Sequence, residues 1–161
     1  MTAVFRDFLM AAGILALALT DFSAAASAQG MSFEKVRLTL ITQSGHHDLT
    51  VDVAGNISQA EYGLRYRPML QPDEGLLILQ SRAAPTTISV NTDGVSLALD
   101  LLFIASDGTI MEVHPSIPIN SLTPIVSNSP VGAALELGAG SIALYGILPG
   151  DKVIGVGLGS S

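Results

Sequence analysis

Short apolar runs separated by Gly, Asn, Asp or Pro fill the chain after residue 28, and this pattern predicts β-strands rather than long helices. Within His47–Val53, three apolar residues alternate with polar ones, as expected for a strand with one buried face. The predicted strands are Lys35–Ile41, His47–Val53, Glu74–Gln80, Thr86–Val90, Leu97–Ile104, Thr109–Val113, Val131–Leu137 and Lys152–Val156.

Two short helices complete the predicted elements. Ser58 and Glu61 have the S-x-x-E spacing of a capping box, which predicts a helix from Ser58 to about Tyr66. A second short helix is predicted over Ser141–Tyr145. Together the elements indicate a mainly β fold, a small compact antiparallel β-barrel or sandwich with one or two short helices.

Two segments are predicted to lack regular structure. Prolines at four positions in His114–Pro130 predict a long constrained loop with at most an edge strand. The glycine-rich tail Gly155–Ser161 is predicted to fray.

The first 28 residues have the pattern of a secretory signal peptide. Arg6 precedes the apolar stretch Phe8–Thr20, and Ala26-Ser27-Ala28 supplies a small-residue cleavage pattern before Gln29. The stretch is shorter than the roughly 20 residues of a spanning helix. We therefore predict a signal peptide at 1–28, a single β-rich domain at 29–161 and a periplasmic or secreted protein without a membrane span after cleavage. An uncleaved N-terminal membrane anchor is the alternative.

The charge balance narrows the possible partners. Seven Lys and Arg residues against fourteen Asp and Glu give a formal net charge of −7, which disfavours binding to nucleic acid or anionic membranes. The chain has no cysteine, so disulfides and thiolate chemistry are excluded. No Gly-x-Gly-x-x-Gly motif is present, and the sequence predicts no cofactor.

Asp100 is the first candidate functional residue, because it interrupts the apolar run Leu97–Ile104. A charged side chain is almost never buried unless it is paired or hydrogen-bonded. We expect a buried carboxylate that accepts hydrogen bonds from backbone N–H groups or from an arginine. The alternative is a catalytic acid.

Arg65 and Arg67 flank Tyr66 and are the second candidate. In alternate positions both could bind one carboxylate or phosphate. The competing interpretation pairs one arginine with a core acid, Asp100 or Glu136, and the preferred pair is Arg65 with Asp100.

The three histidines are candidate metal ligands. His46, His47 and His114 could bind a transition metal, but adjacent residues of a strand point to opposite faces. No metal site is therefore predicted, and no complete catalytic set is recognised.

Several motifs occur in the order seen in a known family. They include Gly63-Leu64-Arg65-Tyr66-Arg67, Asp73-Glu74-Gly75-Leu76-Leu77, Leu99-Asp100-Leu101-Leu102-Phe103-Ile104, Leu135-Glu136-Leu137 and Pro149-Gly150-Asp151-Lys152-Val153. The chain resembles the domain of unknown function 192 family, which is common among exported bacterial proteins. The resemblance spans about Leu49 to Val156 and implies a small β-rich, barrel-like fold without an established activity.

One element of that family is degenerate here. The family usually has an aromatic-Met-basic-Asn-Thr element just before the Leu-Asp pair that corresponds to Leu99-Asp100. This chain has Asn91-Thr92-Asp93-Gly94-Val95 there, with Asp93 at the basic position. If the element forms the family's binding surface, this protein has an altered or lost site, and Asn91 joins Arg65, Arg67 and Asp100 as a candidate binding residue.

The leading hypothesis from the sequence is a non-catalytic exported β-domain that binds a small molecule, a glycan or an envelope protein. The alternative is a hydrolase or lyase that uses Asp100 with Arg65 or His114. A third hypothesis is a purely structural envelope component. A cavity that reaches Asp100 would favour the enzyme, whereas a sealed Asp100 would leave that hypothesis without its acid.

Overall fold

Seven strands form one curled sheet in the computed structural model, which describes residues 30–80 and 84–159. The elements in chain order are β1 Glu34–Thr42, β2 Gly45–Ala54, α1 Ile57–Tyr62, β3 Glu74–Leu79, β4 Ser89–Val90, β5 Leu99–Ile104, β6 Ile110–Ile117, β7 Ile125–Val126, β8 Ala133–Gly138, α2 Ser141–Tyr145 and β9 Lys152–Gly155. The predicted mainly β fold with two short helices is therefore confirmed.

The sheet has the strand order β6-β5-β8-β3-β2-β1-β9, and β4 pairs with β7 in a separate two-stranded sheet. All neighbouring strands run antiparallel except β2 and β3, which are parallel and connected through α1. A parallel pair needs a crossover connection, and the segment that carries α1 supplies it.

The two edge strands of the large sheet meet at one end. Thr109, just before β6, forms a bridge with Lys152 of β9, and the amide of Val153 donates to the carbonyl of Gly108 at 2.8 Å. Gly108 is required at this contact, because a Cβ there would lie 2.3 Å from the Val153 carbonyl oxygen. This junction curls the sheet into a half-barrel and shortens its open edges.

An ion pair lies beside this junction. Lys152 Nζ lies 3.2 Å from Asp107 Oδ2 and donates to Thr109 Oγ1 at 2.6 Å. Hydrogen bonds from Thr109, with a further contribution from Lys152, lower the pKa of the Asp107 carboxyl to about 2.

Both faces of the sheet are covered, and β5 shows this most clearly because all six of its residues are buried. Leu102 and Ile104 pack into the core inside the curl, together with residues of β1, β2 and β9. Leu101 and Phe103 pack on the opposite face, against a second core that includes Leu64 and residues of β4. A strand buried on both faces has a nearly continuous apolar sequence, as this strand has.

The first helix differs from its prediction at both ends. Asn56, rather than Ser58, is the N-cap, and its side chain accepts a hydrogen bond from the amide of Gln59 at 2.9 Å. The helix ends at Tyr62, because Gly63 takes a left-handed φ of 51° there. The prediction that the helix extends to about Tyr66 was wrong.

Two other segments are more regular than predicted. Strand β6 continues through Pro115 to Ile117, where the loop was expected to start. Leu158 in the glycine-rich tail is fully buried in the core inside the curl, and the Gly155 and Leu158 backbones hydrogen-bond each other. The tail up to Gly159 is therefore held by packing rather than frayed.

The predicted signal peptide and its alternative, an N-terminal anchor, lie outside the described residues. Over residues 30–80 and 84–159, no helix is long and apolar enough to cross a membrane.

Candidate functional site

Asp100 is a buried structural acceptor in β5, with only 1% of its surface exposed. Its Oδ1 accepts from the amide of Ser116 at 2.9 Å, and its Oδ2 accepts from the amides of Gly140 and Ile142 at 3.0 and 2.8 Å. The expectation of backbone donors is confirmed. Three N–H groups directed at one carboxylate stabilise its charged form without any other side chain.

These bonds fix two backbone turns next to the strand. Ser116 has an unusual positive φ of 50°, and Gly140 at the start of α2 has a φ of 92°. Gly140 has no side chain to cap the helix, and Asp100 supplies the missing acceptor from β5. Asp100 thus ties β5 to the end of β6 and to α2.

The preferred pairing of Arg65 with Asp100 is wrong. Arg65 Nε donates to the backbone oxygen of Asp93 at 2.8 Å, and Arg65 Nη2 lies 3.5 Å from Asp93 Oδ2. Asp100 lines neither of the two cavities described below. The sealed carboxylate leaves the hydrolase or lyase hypothesis without its acid.

A cavity of about 250 Å³ lies on the outer face of the sheet, between α1, β4 and β8. Part of its wall is apolar and comes from Ile57, Ala60, Leu64, Ile78, Val90 and Val95. Polar residues contribute at least as much of the wall, and they are Glu61, Arg65, Gln80, Ser89, Asn91, Asp93 and Glu136. Convergent polar groups in a concave site are a common feature of small-molecule sites.

Glu136 of β8 is the buried polar group of this cavity. It pairs in register with Leu76 and Leu101, and only 4% of its surface is exposed. Within residues 30–80 and 84–159, no side chain or amide donates a hydrogen bond to its carboxyl group. Burial raises the pKa of this carboxyl from 4.5 to about 7, because the charged form loses hydration.

The rim of the cavity is formed by Arg65 and the segment around Asp93. Asn91 Oδ1 accepts from the amide of Asp93 at 3.1 Å and shapes this turn. Gly94 follows with a φ of 70°, and a Cβ there would lie 3.2 Å from Arg65 Cδ. A glycine is therefore required where the arginine side chain crosses the turn. Asn91 and Arg65, both predicted from sequence, thus lie at one cavity.

Arg67 lies at a second cavity, so the two arginines do not bind one anion together. Its guanidinium pairs with the buried Asp52 and lies 3.7 Å from Glu74 Oε2. Lys35 Nζ approaches the other oxygen of Asp52 at 2.9 Å. This second cavity, of about 310 Å³, also contains Tyr62, whose ring lies 5.0 Å from that of Tyr66. Its charged groups are already paired with one another.

The histidines lie apart in the sheet. His47 Nε2 lies 2.9 Å from Ser44 Oγ, and its ring lies 4.8 Å from that of Tyr145. His114 Nε2 lies 3.3 Å from Glu112 Oε2 and packs against Phe103. Over the described part of the chain, no three His, Cys, Asp or Glu residues are grouped as a metal would require.

Glu136 is the site residue that sequence reasoning did not select. The sequence suggests it only as a partner for an arginine, although it interrupts the apolar run Val131–Leu137 just as Asp100 interrupts its own run. The available signal was therefore a second carboxylate in a buried strand. The sequence could not show which of the two acids lacked backbone donors.

The family of this chain is identified by its similarity to known proteins. The profile of the DUF192 family, described as uncharacterized, matches residues 39–155. The chain belongs to the DUF192 family. The match confirms the resemblance drawn from the sequence motifs, and the Asn91–Val95 segment that departs from the family pattern contributes Asn91, Asp93 and Val95 to the cavity wall. A search of curated proteins finds no match to the chain.

Two solved structures resemble this DUF192 protein over most of its length. A candidate transcription regulator from Sinorhizobium meliloti 1021 is 42% identical, with a TM-score of 0.75, and the match covers 80% of this chain and 99% of that one. A protein of unknown function from Novosphingobium aromaticivorans DSM 12444 is 28% identical, with a TM-score of 0.72, and the match covers 76% of this chain and 86% of that one. Both support the β-rich fold.

Proposed function

We propose that this DUF192 protein is an exported, non-catalytic binding module for a small molecule held in the Glu136 cavity. The observation that carries the proposal is a cavity of about 250 Å³ that brings together the buried Glu136, Arg65 and Asn91. A few polar groups that converge on one cavity can fix the orientation of a small ligand. Export is inferred from the signal-peptide pattern of residues 1–28.

The small molecule is favoured over a glycan or an envelope protein by the size of the site. A cavity of about 250 Å³ is slightly smaller than the roughly 300–1,000 Å³ typical of ligand pockets. Its wall buries a compact molecule, whereas a glycan chain or a protein needs a longer surface.

DNA binding, suggested by the description of the S. meliloti protein, is not part of the proposal. The net charge of −7 opposes contact with phosphates. Four of the five described Lys and Arg residues form ion pairs with carboxylates, namely Lys35, Arg65, Arg67 and Lys152. The described surface thus offers no cluster of unpaired cations for a nucleic acid backbone.

The proposal is tested by searching for a small molecule bound to the purified protein and by repeating the search with a variant whose cavity is filled. The full chain is expressed, purified without denaturation in the form that the cell produces, and examined by native mass spectrometry and by a thermal-shift panel of small metabolites. We expect a bound molecule, or one that raises the melting temperature, and an N-terminus at Gln29 if export is accompanied by cleavage.

The matched variants lie on the same helix. Ala60 is half-buried and lines the cavity, so Ala60→Phe should occupy it and abolish ligand binding. Ser58 is exposed and does not line the cavity, so Ser58→Phe should bind as the wild type does. Absence of any ligand by both methods, or equal binding by the Ala60→Phe protein, would exclude this cavity as the site.

A further inference from the structure

We infer that the second cavity, lined by Tyr62, Tyr66 and Arg67, binds a neutral pyranose sugar of a glycan, with the sugar ring against the tyrosine rings. This site differs from the one proposed above, where a small molecule lies beside Glu136. Three features of the second cavity support the sugar: its aromatic lining, its opening to solvent at Tyr66 and the balance of its charges.

Aromatic residues are concentrated at this cavity. Of the five described Phe and Tyr residues, three line it, namely Phe33 just before β1, Tyr62 at the end of α1 and Tyr66 in the segment that follows. The ring centroids of Phe33 and Tyr62 lie 6.1 Å apart, and those of Tyr62 and Tyr66 lie 5.0 Å apart. The three rings therefore form one contiguous surface, against which the C–H face of a pyranose ring can pack.

The outermost ring of this surface is open to solvent. Tyr66 has 73% of its surface exposed, whereas Phe33 and Tyr62 are half-buried. An exposed aromatic ring at a cavity of about 310 Å³ leaves apolar surface that a ligand can remove from water. Because the cavity opens at Tyr66, the rest of a glycan chain can extend from it into solvent.

The charged groups of the cavity balance one another. Lys35 and Arg67 both pair with Asp52, whose side chain is only 7% exposed. Arg67 Nη1 also lies 3.7 Å from Glu74 Oε2, so the cluster contains two cations and two carboxylates. An ionic ligand would have to compete with one of these pairs, and a neutral ligand leaves them in place.

The paired groups still provide hydrogen bonds. An ammonium has three N–H donors and a guanidinium has five, more than the contacts of Lys35 and Arg67 with these carboxylates use. A sugar hydroxyl is both a donor and an acceptor, so it can bond to either member of an ion pair. The cavity thus matches both parts of a pyranose, its C–H face and its ring of hydroxyl groups.

The experiment compares β-1,4-linked sugar trimers that differ in charge. The neutral probes are cellotriose and chitotriose, and the charged probes are the glucosamine trimer and the glucuronate trimer. Their dissociation constants, for the protein purified in the form that the cell produces, are measured by calorimetry at pH 5.5. We expect at least one neutral trimer to bind at least fivefold more tightly than either charged trimer.

Tyrosine fluorescence gives a second measurement of binding at this site. The chain has three tyrosines and no tryptophan, and two of the three tyrosines line the second cavity. Tyr145, the third, packs against His47 outside it. A bound sugar should therefore change the tyrosine emission at the same concentrations that produce heat in the calorimeter.

Three variants assign the binding to the exposed ring. Tyr66→Ala removes the ring and should weaken binding of the neutral trimer at least fivefold, whereas Tyr66→Phe keeps the ring and should change it less than twofold. Leu144→Ala truncates another exposed apolar side chain, outside the cavity, and should leave the affinity unchanged. Both positions are mostly exposed, so the variants should fold.

The outcomes separate this inference from the proposed function. Equal or tighter binding of a charged trimer would overturn the neutral sugar, and no binding of either neutral trimer, or unchanged binding by Tyr66→Ala, would overturn the site. Ala60 lines the Glu136 cavity and not the second cavity. Sugar binding that persists in Ala60→Phe therefore supports the inference even if the Glu136 cavity binds nothing. Its loss in Ala60→Phe would place the sugar in the Glu136 cavity and overturn the inference.

Discussion

Asp100 and Glu136 lie on the adjacent strands β5 and β8, and each interrupts a buried apolar run, yet their surroundings differ completely. Asp100 pairs in register with Leu137 and faces the core inside the curl, whereas Glu136 pairs with Leu101 and faces the opposite side. Asp100 accepts three backbone N–H groups, and Glu136 accepts none from the described residues. Burial of a carboxylate therefore does not by itself indicate a functional site. The supply of hydrogen-bond donors makes that distinction.

The largest expected effect is loss of stability when Asp100 is neutralised. Asp100→Asn replaces one acceptor oxygen with an NH₂ group, which cannot accept from the amides of Ser116, Gly140 or Ile142. We expect the free energy of unfolding to fall by about 3 to 5 kcal/mol, the range for breaking a buried charged interaction. Urea denaturation followed by circular dichroism measures it.

Asp48→Asn is the control for that substitution, because Asp48 is exposed and accepts only a long 3.3 Å bond from Thr39. Its effect should stay within about 0.5 kcal/mol. A loss below about 1 kcal/mol for Asp100→Asn would contradict a structural role for Asp100 and reopen its assignment as a working acid.

The second-largest expected effect is a gain of stability when Glu136 is neutralised, and this gain depends on pH. Burial raises the pKa of Glu136 from 4.5 to about 7, so the folded protein binds more protons than the unfolded chain between these values. Stability should therefore decrease as pH rises from 4.5 to 7, by at most about 3 kcal/mol in total. Glu136→Gln should remove this decrease and make the protein more stable than the wild type at pH 8.

Unfolding curves at pH 4.5, 6 and 8 measure this difference. The wild type and Glu136→Gln should differ least at pH 4.5, where Glu136 is protonated in the folded state and about half protonated in the unfolded state. A Glu136→Gln protein that is less stable than the wild type at pH 8 would show that the carboxylate is stabilised in the free protein. Glu136 would then resemble Asp100, and the comparison would fail.

The smallest effects are expected at the two arginines. Arg67→Gln deprives the buried Asp52 of one of its two cations, and we expect a loss of about 1 to 2 kcal/mol. Arg65→Gln breaks a partly exposed pair with Asp93, and the loss should be below about 1 kcal/mol. Thermal or urea unfolding of the two variants tests this order. A larger loss for Arg65→Gln would show that the rim supports the fold more than the Asp52 cluster does.

Much of the fold could be predicted from local sequence. The alternation in β2 and the continuous apolar run of β5 both indicate strands, because side-chain periodicity reports which faces are buried. The parallel pairing of β2 with β3 and the contact of β6 with β9 could not be predicted, because they join segments distant in sequence. The burial of Leu158 was missed for the same reason.

The candidate site was predicted in part. Arg65 and Asn91 meet at the cavity as candidate residues, but Arg67 and Asp100 lie elsewhere, and Glu136 was not selected. The pairing of Arg65 with Asp93 rather than Asp100 depends on the turn around Asp93, which hydrogen bonds to the side chains of Asn91 and Asn120 hold in place. The identity of a residue such as Arg65 does not indicate which acidic residue lies close enough to pair with it.

The sequence by itself determined a β-rich domain, its acidic charge and the presence of carboxylates inside apolar strands, because composition and periodicity are local properties. Its ordered motifs indicated the DUF192 family. Only the tertiary structure decided which carboxylate is held by backbone N–H groups and which one lines a cavity. That decision depends on backbone N–H groups from β6 and α2, which meet Asp100 from positions 16 to 42 residues away in the chain. No such groups from the described residues reach Glu136 across the sheet.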